Sequence, residues 1–287
     1  MSKDILSVIQ TNMSTFSKGQ KLIAGFILES YDKAAFMTAS RLGKTVNVSE
    51  STVVRFAAEL GYDGYPAMQK ALQEMIRSKL TSIQRIEVSN DRIGNQDILS
   101  MVMQSDIEKI RLTLEEVDRQ SFDRAVDAIV SARKIYIMGV RSSASLATFL
   151  SFYFNLIFDN VVMISANTVS EVLESLLRVG EGDVVIGISF PRYSSRAVQA
   201  MSFARDRGAT TIAITDSEVS PLASIAQYTL KARSDMASFV DSLVAPLSLV
   251  NALLVAVSRK KNEDLSKTFE TLEKIWEEYG VYEKTLE

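Results

Sequence analysis

The pattern of apolar and polar positions along the chain changes near residue 134. The N-terminal part predicts short helices separated by turns, with no run of alternating or β-branched residues. Further along, short apolar runs of strand length alternate with stretches whose apolar residues recur at helical spacing. This alternation predicts a doubly wound α/β domain with a mostly parallel five-stranded sheet and helices on both faces. The predicted strands are Ile135–Met138, Val161–Ile164, Val184–Ile188, Thr211–Ile214 and Tyr228–Leu230.

Changes in composition and pattern divide the chain into four predicted segments. The segments are an all-α domain at 1–77, a polar linker and connecting helix at 78–117, the α/β domain at 118–261, and a C-terminal helix at 262–287. The C-terminal helix has Leu265, Phe269, Leu272 and Trp276 on one side. Periodicity alone leaves two interpretations open, a helix that caps the core and a helix that packs against a second subunit.

Composition excludes several classes of function. The 287 residues include no cysteine and no histidine, which excludes disulfides, thiolate chemistry and a serine–histidine hydrolase. We therefore expect no catalytic residues, no metal site and no cofactor. The start of the chain has no export signal and the apolar stretch 243–257 is short for a membrane span, so we expect a cytoplasmic protein that does not act at a membrane.

Residues 39–60, ASRLGKTVNVSESTVVRFAAEL, have the spacing of a helix-turn-helix. Leu42 lies on the first predicted helix and Phe56 on the second, where both contribute to a small core. Asn47 occupies the turn, where a left-handed backbone is expected and asparagine tolerates it. Gly43 allows the two helices to approach closely. A helical hairpin with no DNA role has the same pattern, and this alternative stays open here.

The second predicted helix would carry the contacts to DNA. Ser49 is a good N-cap, and the residues that follow it face outward near the N-terminal half, where base edges are read. Residues 1–77 contain nine Lys/Arg and seven Asp/Glu, a net charge of +2, while the remainder carries −5 of the total of −3. The N-terminal part is thus slightly positive and the rest of the chain negative, which favours DNA as a partner of the N-terminal part. The candidate DNA-contacting residues are Lys44, Ser49, Glu50, Ser51, Thr52 and Arg55.

The run from Ser49 to Tyr65, SESTVVRFAAELGYDGY, closely resembles the N-terminal domain of RpiR-type transcriptional regulators. The shared features are a serine, a threonine-valine-valine-arginine-phenylalanine stretch, leucine-glycine-tyrosine and a second glycine-tyrosine step. The resemblance implies binding of double-stranded operator DNA. It also implies that the rest of the chain is a sugar isomerase (SIS) domain.

Two loops of the α/β domain have the chemistry of an anion site. The first follows the first predicted strand and the second follows the third, and both are expected beyond the carboxyl ends of the strands, where open α/β sheets bind ligands. Each combines hydroxyls at a helix N-terminus with an arginine, which together favour phosphate or carboxylate. Serines that serve only as helix N-caps are the alternative interpretation. The candidate residues are Gly139, Arg141, Ser142 and Ser143 in the first loop, and Ser189, Arg192, Ser194 and Ser195 in the second. Glu171, on the helix predicted after the second strand, is a further candidate ligand-binding residue.

The resemblance to SIS domains implies that these loops bind a phosphosugar. Gly139 and Ser143 fall on the family's first loop pattern, and Ser189 and Ser194 fall on the second. The second loop departs from the family, because Pro191-Arg192 stands where many members have serine-glycine. We expect a differently shaped loop there, in which Arg192 either grips the anion or fills the site.

The function expected from these features is that of a transcriptional regulator of carbohydrate metabolism genes. Its DNA affinity would change when an anionic sugar binds to the SIS domain, and it would act as a homodimer or homotetramer. Two alternatives stay open at this point. One is a sugar-phosphate isomerase that uses a carboxylate base, Glu171 or Glu174, because no histidine is available. The other is an SIS domain that binds no ligand and serves only for dimerisation.

Overall fold

The computed structural model describes residues 5–77, 81–93, 97–165, 168–236 and 240–282. The contacts within the chain divide it into two compact units. The first comprises Met1–Val102 and Met236–Asp241, and the second comprises Met103–Asp235 and Ser242–Glu287. Residues 1–4, on which the expectation of no export signal partly rests, lie outside the described residues.

The first unit is helical, as its sequence pattern predicts. A single core forms because the first six helices turn apolar residues inward, and the rings of Phe16 and Phe56 meet edge to face there at 5.1 Å. The polar stretch 78–96, predicted to be part of a linker, includes the last of these helices. The helices are α1 (Ile5–Asn12), α2 (Lys18–Glu29), α3 (Tyr31–Ala34), α4 (Ala39–Thr45), α5 (Glu50–Glu59), α6 (Tyr65–Arg77) and α7 (Ser82–Ile93).

Residues Met236–Asp241 belong to the first unit although they follow the sheet in sequence. Met236 packs against the helical core. Arg85 on α7 donates a hydrogen bond to Asp241 at 2.8 Å, and the two side chains are only 6% and 16% exposed. A buried charge is costly unless it is paired, so this ion pair helps to satisfy the buried charge of Arg85.

The second unit is a doubly wound α/β fold. Its five strands are all parallel in the order β2-β1-β3-β4-β5, which confirms the predicted fold class and all five predicted strands. The elements are α8 (Ile98–Glu116), α9 (Arg119–Val130), β1 (Lys134–Gly139), α10 (Ser143–Ile157), β2 (Val161–Ile164), α11 (Val169–Ser175), β3 (Asp183–Ile188), α12 (Ser195–Asp206), β4 (Thr210–Thr215), β5 (Tyr228–Lys231), α13 (Val244–Lys260) and α14 (Asn262–Tyr279). The first residues of α8 lie in the first unit.

Helices cover both faces of the sheet because successive strand residues point to opposite sides. Ile135 and Ile137 pack with α9, α10 and α13, while Tyr136 and Met138 pack with α11 and α12. The C-terminal helix α14 contacts α10 and α13 of the same unit. No helix in the described ranges is long and apolar enough to span a bilayer.

An ion pair holds the amino ends of β1 and β3 together. The Arg133 guanidinium donates two hydrogen bonds, of 2.9 and 2.8 Å, to the Asp183 carboxylate, whose side chain is fully buried. The carboxylate also accepts from the Gly180 amide at 3.0 Å. The hydrogen bonds to Asp183, together with its negative charge, raise the pKa of Arg133 above its ordinary value. Because the amino ends of the two strands are held together, their carboxyl ends also lie side by side.

Candidate DNA-binding and ligand-binding sites

The turn between α4 and α5 has the geometry of a helix-turn-helix. Asn47 has a φ of 56°, the left-handed conformation expected from the sequence. Gly43 lies against the start of α5, where a Cβ atom would be 2.8 Å from the carbonyl oxygen of Val48. Leu42 and Phe56 are fully buried, as predicted. The close approach of the two helices therefore depends on the glycine, and the reversal between them depends on the asparagine.

The first turn of α5 presents its polar residues to solvent. Ser49 is the N-cap and accepts a hydrogen bond from the Thr52 amide at 3.3 Å. The Ser49 hydroxyl also lies 2.8 Å from the hydroxyls of both Ser51 and Thr52. Arg55 is exposed one turn further along the helix, and its Nε donates to the Ser51 carbonyl at 3.3 Å. In helix-turn-helix proteins, residues in this part of the second helix contact base edges in the major groove.

The six predicted DNA-contacting residues all lie on or beside this helix-turn-helix. Lys44 is exposed near the end of α4, and Ser49, Glu50, Ser51 and Arg55 are exposed at the start of α5. Thr52 is half-buried. The opposite side of α5 buries Val53, Phe56 and Ala57 in the core of the unit. The division between an outward polar edge and a buried apolar side leaves the polar edge available to a partner.

The two candidate ligand loops start from neighbouring strands. Gly139 at the end of β1 is paired in register with Ile188 at the end of β3. The connections from β1 and β3 leave the sheet in opposite directions, toward β2 and β4 respectively. This is the switch point of a sheet with the order 2-1-3-4-5, where ligands bind in folds of this class. The Gly139 loop and the Ser189 loop therefore begin side by side at this switch point.

The first loop passes very close to the start of α10. A Cβ atom on Gly139 would collide with the carbonyl of Ser143, so only glycine fits there. Arg141 has a φ of 58°, an uncommon conformation for a non-glycine residue and one that clusters at functional sites. Ser143 is buried, while Arg141 and Ser142 are exposed. Ser142 occupies the N-cap position without a side-chain capping bond, so its hydroxyl does not have the simple capping role.

The second loop is held by its own serines. Ser189 is buried, and its hydroxyl accepts a hydrogen bond from the Ser194 amide at 3.1 Å. Ser194 caps α12 by accepting from the Ala197 amide at 3.4 Å. Arg192 and Ser195 are exposed, and the peptide bond between Pro191 and Arg192 is cis. Ser194 thus fits the capping interpretation, whereas Ser189 positions the backbone of the loop.

A third loop meets the second one, and sequence reasoning missed this contact. The Tyr193 hydroxyl donates to the carboxylate of Asp216 at 2.9 Å. Asp216 follows directly after β4, is only 8% exposed, and lies 3.4 Å from the Thr215 hydroxyl. One available signal was position, because Asp216 stands beyond the carboxyl end of a strand as the predicted residues do. The carboxylate fixes the tyrosine and with it the backbone beside Arg192.

Glu171 has a structural partner at the start of α11. Its carboxylate accepts a hydrogen bond from the Thr168 amide at 3.2 Å, and the Thr168 hydroxyl accepts from the Glu171 amide at 3.2 Å. This reciprocal pair is a capping box. A carboxylate engaged in a cap is a poor candidate for a general base. Across the part of the chain that the structure describes, no acidic cluster is arranged to hold a metal ion.

Comparisons with known proteins match both units. A sequence model described as "Helix-turn-helix domain, rpiR family" matches residues 3–79, and the "SIS domain" model matches residues 128–256. The HTH-type transcriptional regulator HexR of Pseudomonas aeruginosa is 25% identical over 270 residues, which cover 91% of this chain and 92% of HexR. HexR of Escherichia coli is also 25% identical, over 265 residues that cover 90% of this chain and 89% of that protein.

Two solved structures share the fold. The Vibrio vulnificus NanR protein complexed with ManNAc-6P is 25% identical, with a TM-score of 0.59, and the match covers 95% of this chain and 97% of NanR. The sugar isomerase domain of an RpiR transcription factor from Sphaerobacter thermophilus is 29% identical, with a TM-score of 0.60. That match covers 62% of this chain and 99% of the domain. The similarity to NanR spans both units.

Proposed function

Because the chain belongs to the rpiR family of helix-turn-helix regulators, with a C-terminal SIS domain, we propose that it is a DNA-binding transcriptional regulator of carbohydrate metabolism genes. Its DNA affinity changes when an anionic sugar binds to the SIS domain. The observation that carries this proposal is the register of the sheet, which pairs Gly139 with Ile188 and so joins two serine- and arginine-bearing loops in a chain that also carries a helix-turn-helix. The similarity to HexR, an HTH-type transcriptional regulator, supports the regulatory role.

The DNA contacts of this proposal come from the start of α5. Arg55 and Ser51 read the major groove, and Lys44 contacts the phosphate backbone from the end of α4. These residues are exposed, so no rearrangement of the helical core is needed for them to meet DNA. Specificity comes from the arginine, since arginine commonly contacts guanine with two hydrogen bonds. The remaining affinity comes from phosphate contacts and falls as salt rises.

The effector in this proposal is a phosphosugar or a related anionic sugar. Ser189 orients the Ser194 amide of the second loop, Ser143 begins the helix after the first loop, and the exposed Arg141 and Arg192 supply positive charge. A helix N-terminus, hydroxyls and guanidinium groups together match a phosphate group. The complex of NanR with ManNAc-6P supports this class of ligand, since NanR is similar to this chain along almost its full length.

The regulator is favoured over the isomerase on two grounds. The relatives that match nearly the whole chain are named as transcriptional regulators. Of the two carboxylates suggested as a base, Glu171 is part of a capping box and Glu174 accepts a hydrogen bond from the Ser170 hydroxyl. A chain without histidine has few other groups that titrate near neutral pH. The SIS domain therefore acts in this proposal by binding a sugar, with no change to the sugar's covalent structure.

The working form of the protein is a homodimer in the cytoplasm, where its DNA lies, or a homotetramer of two such dimers. Two helix-turn-helix units then read half-sites about 34 Å apart, or a multiple of that distance. The sugar alters DNA affinity only to the extent that it binds one arrangement of the subunits more tightly than another. The linkage requires no direct contact between sugar and DNA.

Fluorescence anisotropy at fixed salt tests this function. Labelled DNA from upstream of the protein's own gene is titrated with protein, without sugar and with ManNAc-6P, glucosamine 6-phosphate, fructose 6-phosphate or inorganic phosphate. We expect specific DNA binding that one sugar phosphate shifts. Arg55→Ala should weaken DNA binding and leave sugar affinity unchanged, whereas Ser189→Ala should do the reverse. Loss of both affinities in both variants would contradict the division of roles.

A further inference from the structure

Helix α8 exposes a row of apolar side chains in its C-terminal part and buries two polar ones. Ile107, Ile110 and Leu114 are 64%, 38% and 60% exposed. Lys109 and Thr113, by contrast, are only 3% and 8% exposed. A surface helix of a monomeric globular protein is expected to turn such an apolar row toward the core. This helix is therefore built for a second apolar contact that a single chain does not supply.

The buried polar side chains of α8 form hydrogen bonds within their own unit. The Lys109 ammonium donates to the Ser105 hydroxyl at 2.7 Å and to Asp106 at 3.2 Å. The Thr113 hydroxyl accepts from the backbone amide of Arg233 at 2.9 Å. The Asp106 carboxylate also accepts from the Ser242 hydroxyl at 2.7 Å. These hydrogen bonds fix the rotation of α8, so the apolar side cannot turn inward without breaking them.

The exposed row continues into an apolar groove. Met103, Ile107, Ile110 and Leu114 are spaced by four, three and four residues, the a/d spacing with which helices pair. Beside the last two, α8, α9 and α13 enclose a groove of about 390 Å³. Its apolar lining includes Ile110, Leu114, Val117, Phe122, Leu249 and Ala252. The row and the groove, called the α8 face below, offer both knobs and a recess for them.

Charge at the rim of the α8 face identifies the occupant. Arg119 and Asp123, both exposed, line the groove one helical turn apart on α9. For this pair of residues, the structure records no ion pair with any described residue. Opposite charges next to each other are self-complementary across a two-fold axis, because each Arg119 can then face the partner subunit's Asp123. A rim of one sign would instead repel a second copy.

From these features we infer that the α8 face is the surface through which a second copy of this chain binds, with α8 against α8 across a two-fold axis. This surface is the dimer interface of the homodimer proposed above, and the inference rests on that part of the proposed function. The apolar row supplies the contact area, and the rim charges set the orientation of the two copies.

Sedimentation equilibrium of the full chain tests the α8 face. The wild type should be dimeric, and Ile107→Glu should raise the dimer dissociation constant at least about tenfold, because it buries an unpaired charge in the interface. Leu177→Glu is the matched control, since Leu177 is 63% exposed in the same unit but does not belong to the α8 face. It should remain dimeric. A monomeric wild type, or an Ile107→Glu variant as dimeric as the control, would overturn the inference.

A charge exchange tests the two-fold arrangement separately. Arg119→Asp alone places four acidic side chains at the shared rim and should weaken the dimer severalfold. The double variant Arg119→Asp, Asp123→Arg restores opposite charges and should recover wild-type association. A double variant no stronger than the single one would refute this geometry. These outcomes are distinct from a failure of the proposed regulatory function. That failure would appear as a wild type that binds no DNA specifically, whether or not it is dimeric.

Discussion

Replacing Gly43 with alanine should destabilise the helix-turn-helix. The added Cβ would lie 2.8 Å from the Val48 carbonyl oxygen and 3.4 Å from the Glu50 amide nitrogen. Both neighbours are backbone atoms, so the helices must move apart to make room. Overpacking of this kind costs about 1–3 kcal/mol. Gly25→Ala is the matched control, because a Cβ there has no neighbour within 4 Å, and the change should stabilise helix α2 by about 0.5–1 kcal/mol.

Hydrogen exchange followed by mass spectrometry measures this local effect. The single tryptophan, Trp276, lies on α14 and reports on the other unit, so amide exchange in α4 and α5 is the better probe. Exchange of these amides should become about fivefold or more faster in Gly43→Ala and slower in Gly25→Ala. Equal protection in Gly43→Ala and the wild type would refute the close contact between α4 and the turn.

Three further predictions concern the DNA-binding edge, the sugar loop and the helical core. Arg55→Ala should lose about 1–3 kcal/mol of specific DNA binding by anisotropy and leave thermal unfolding unchanged; undiminished DNA binding would exclude this residue as a contact. Gly139→Ala should abolish sugar-phosphate binding in calorimetry while the chain stays folded, because the new Cβ collides with the Ser143 carbonyl; wild-type affinity would show that this loop is not part of the site. Burial raises the pKa of Tyr65 to about 12, whereas the unfolded chain releases this proton near pH 10. The unfolded state therefore loses its proton first, and stability should fall between pH 10 and 12 by up to about 1.4 kcal/mol per pH unit. The Tyr65→Phe variant lacks the titrating hydroxyl, which donates to the Met37 carbonyl in the wild type, so its stability should change less between pH 10 and 12. A pH dependence of stability equal to that of the wild type would contradict this assignment.

The elements of the fold were predictable because their signals are local. Apolar runs of strand length predicted every strand of the sheet, and the positions of Gly43, Asn47 and Ser49 predicted the helix-turn-helix and its cap. Each of these residues acts through its own backbone or its immediate neighbours. The family resemblance added the SIS domain, which matches the structure of the second unit.

The contacts that depend on distant parts of the chain were not predictable. Tyr193 and Asp216 are 23 residues apart and meet only because β3 and β4 are adjacent. Arg85 and Asp241 are 156 residues apart, and no local sequence pattern near either residue predicts that they pair. The exposure of the apolar row on α8 was also missed, since periodicity identifies an apolar stripe but not whether the stripe faces the core or a partner.

Linkage between sugar and DNA is the most direct test of the proposed regulation. Isothermal titration calorimetry measures the affinity for the responsive sugar phosphate on the full chain, first alone and then saturated with operator DNA. We expect DNA to change the sugar affinity by the same factor as the sugar changes the DNA affinity, because binding linkage is reciprocal. Equal sugar affinity with and without DNA would contradict the claim that the SIS domain controls DNA binding.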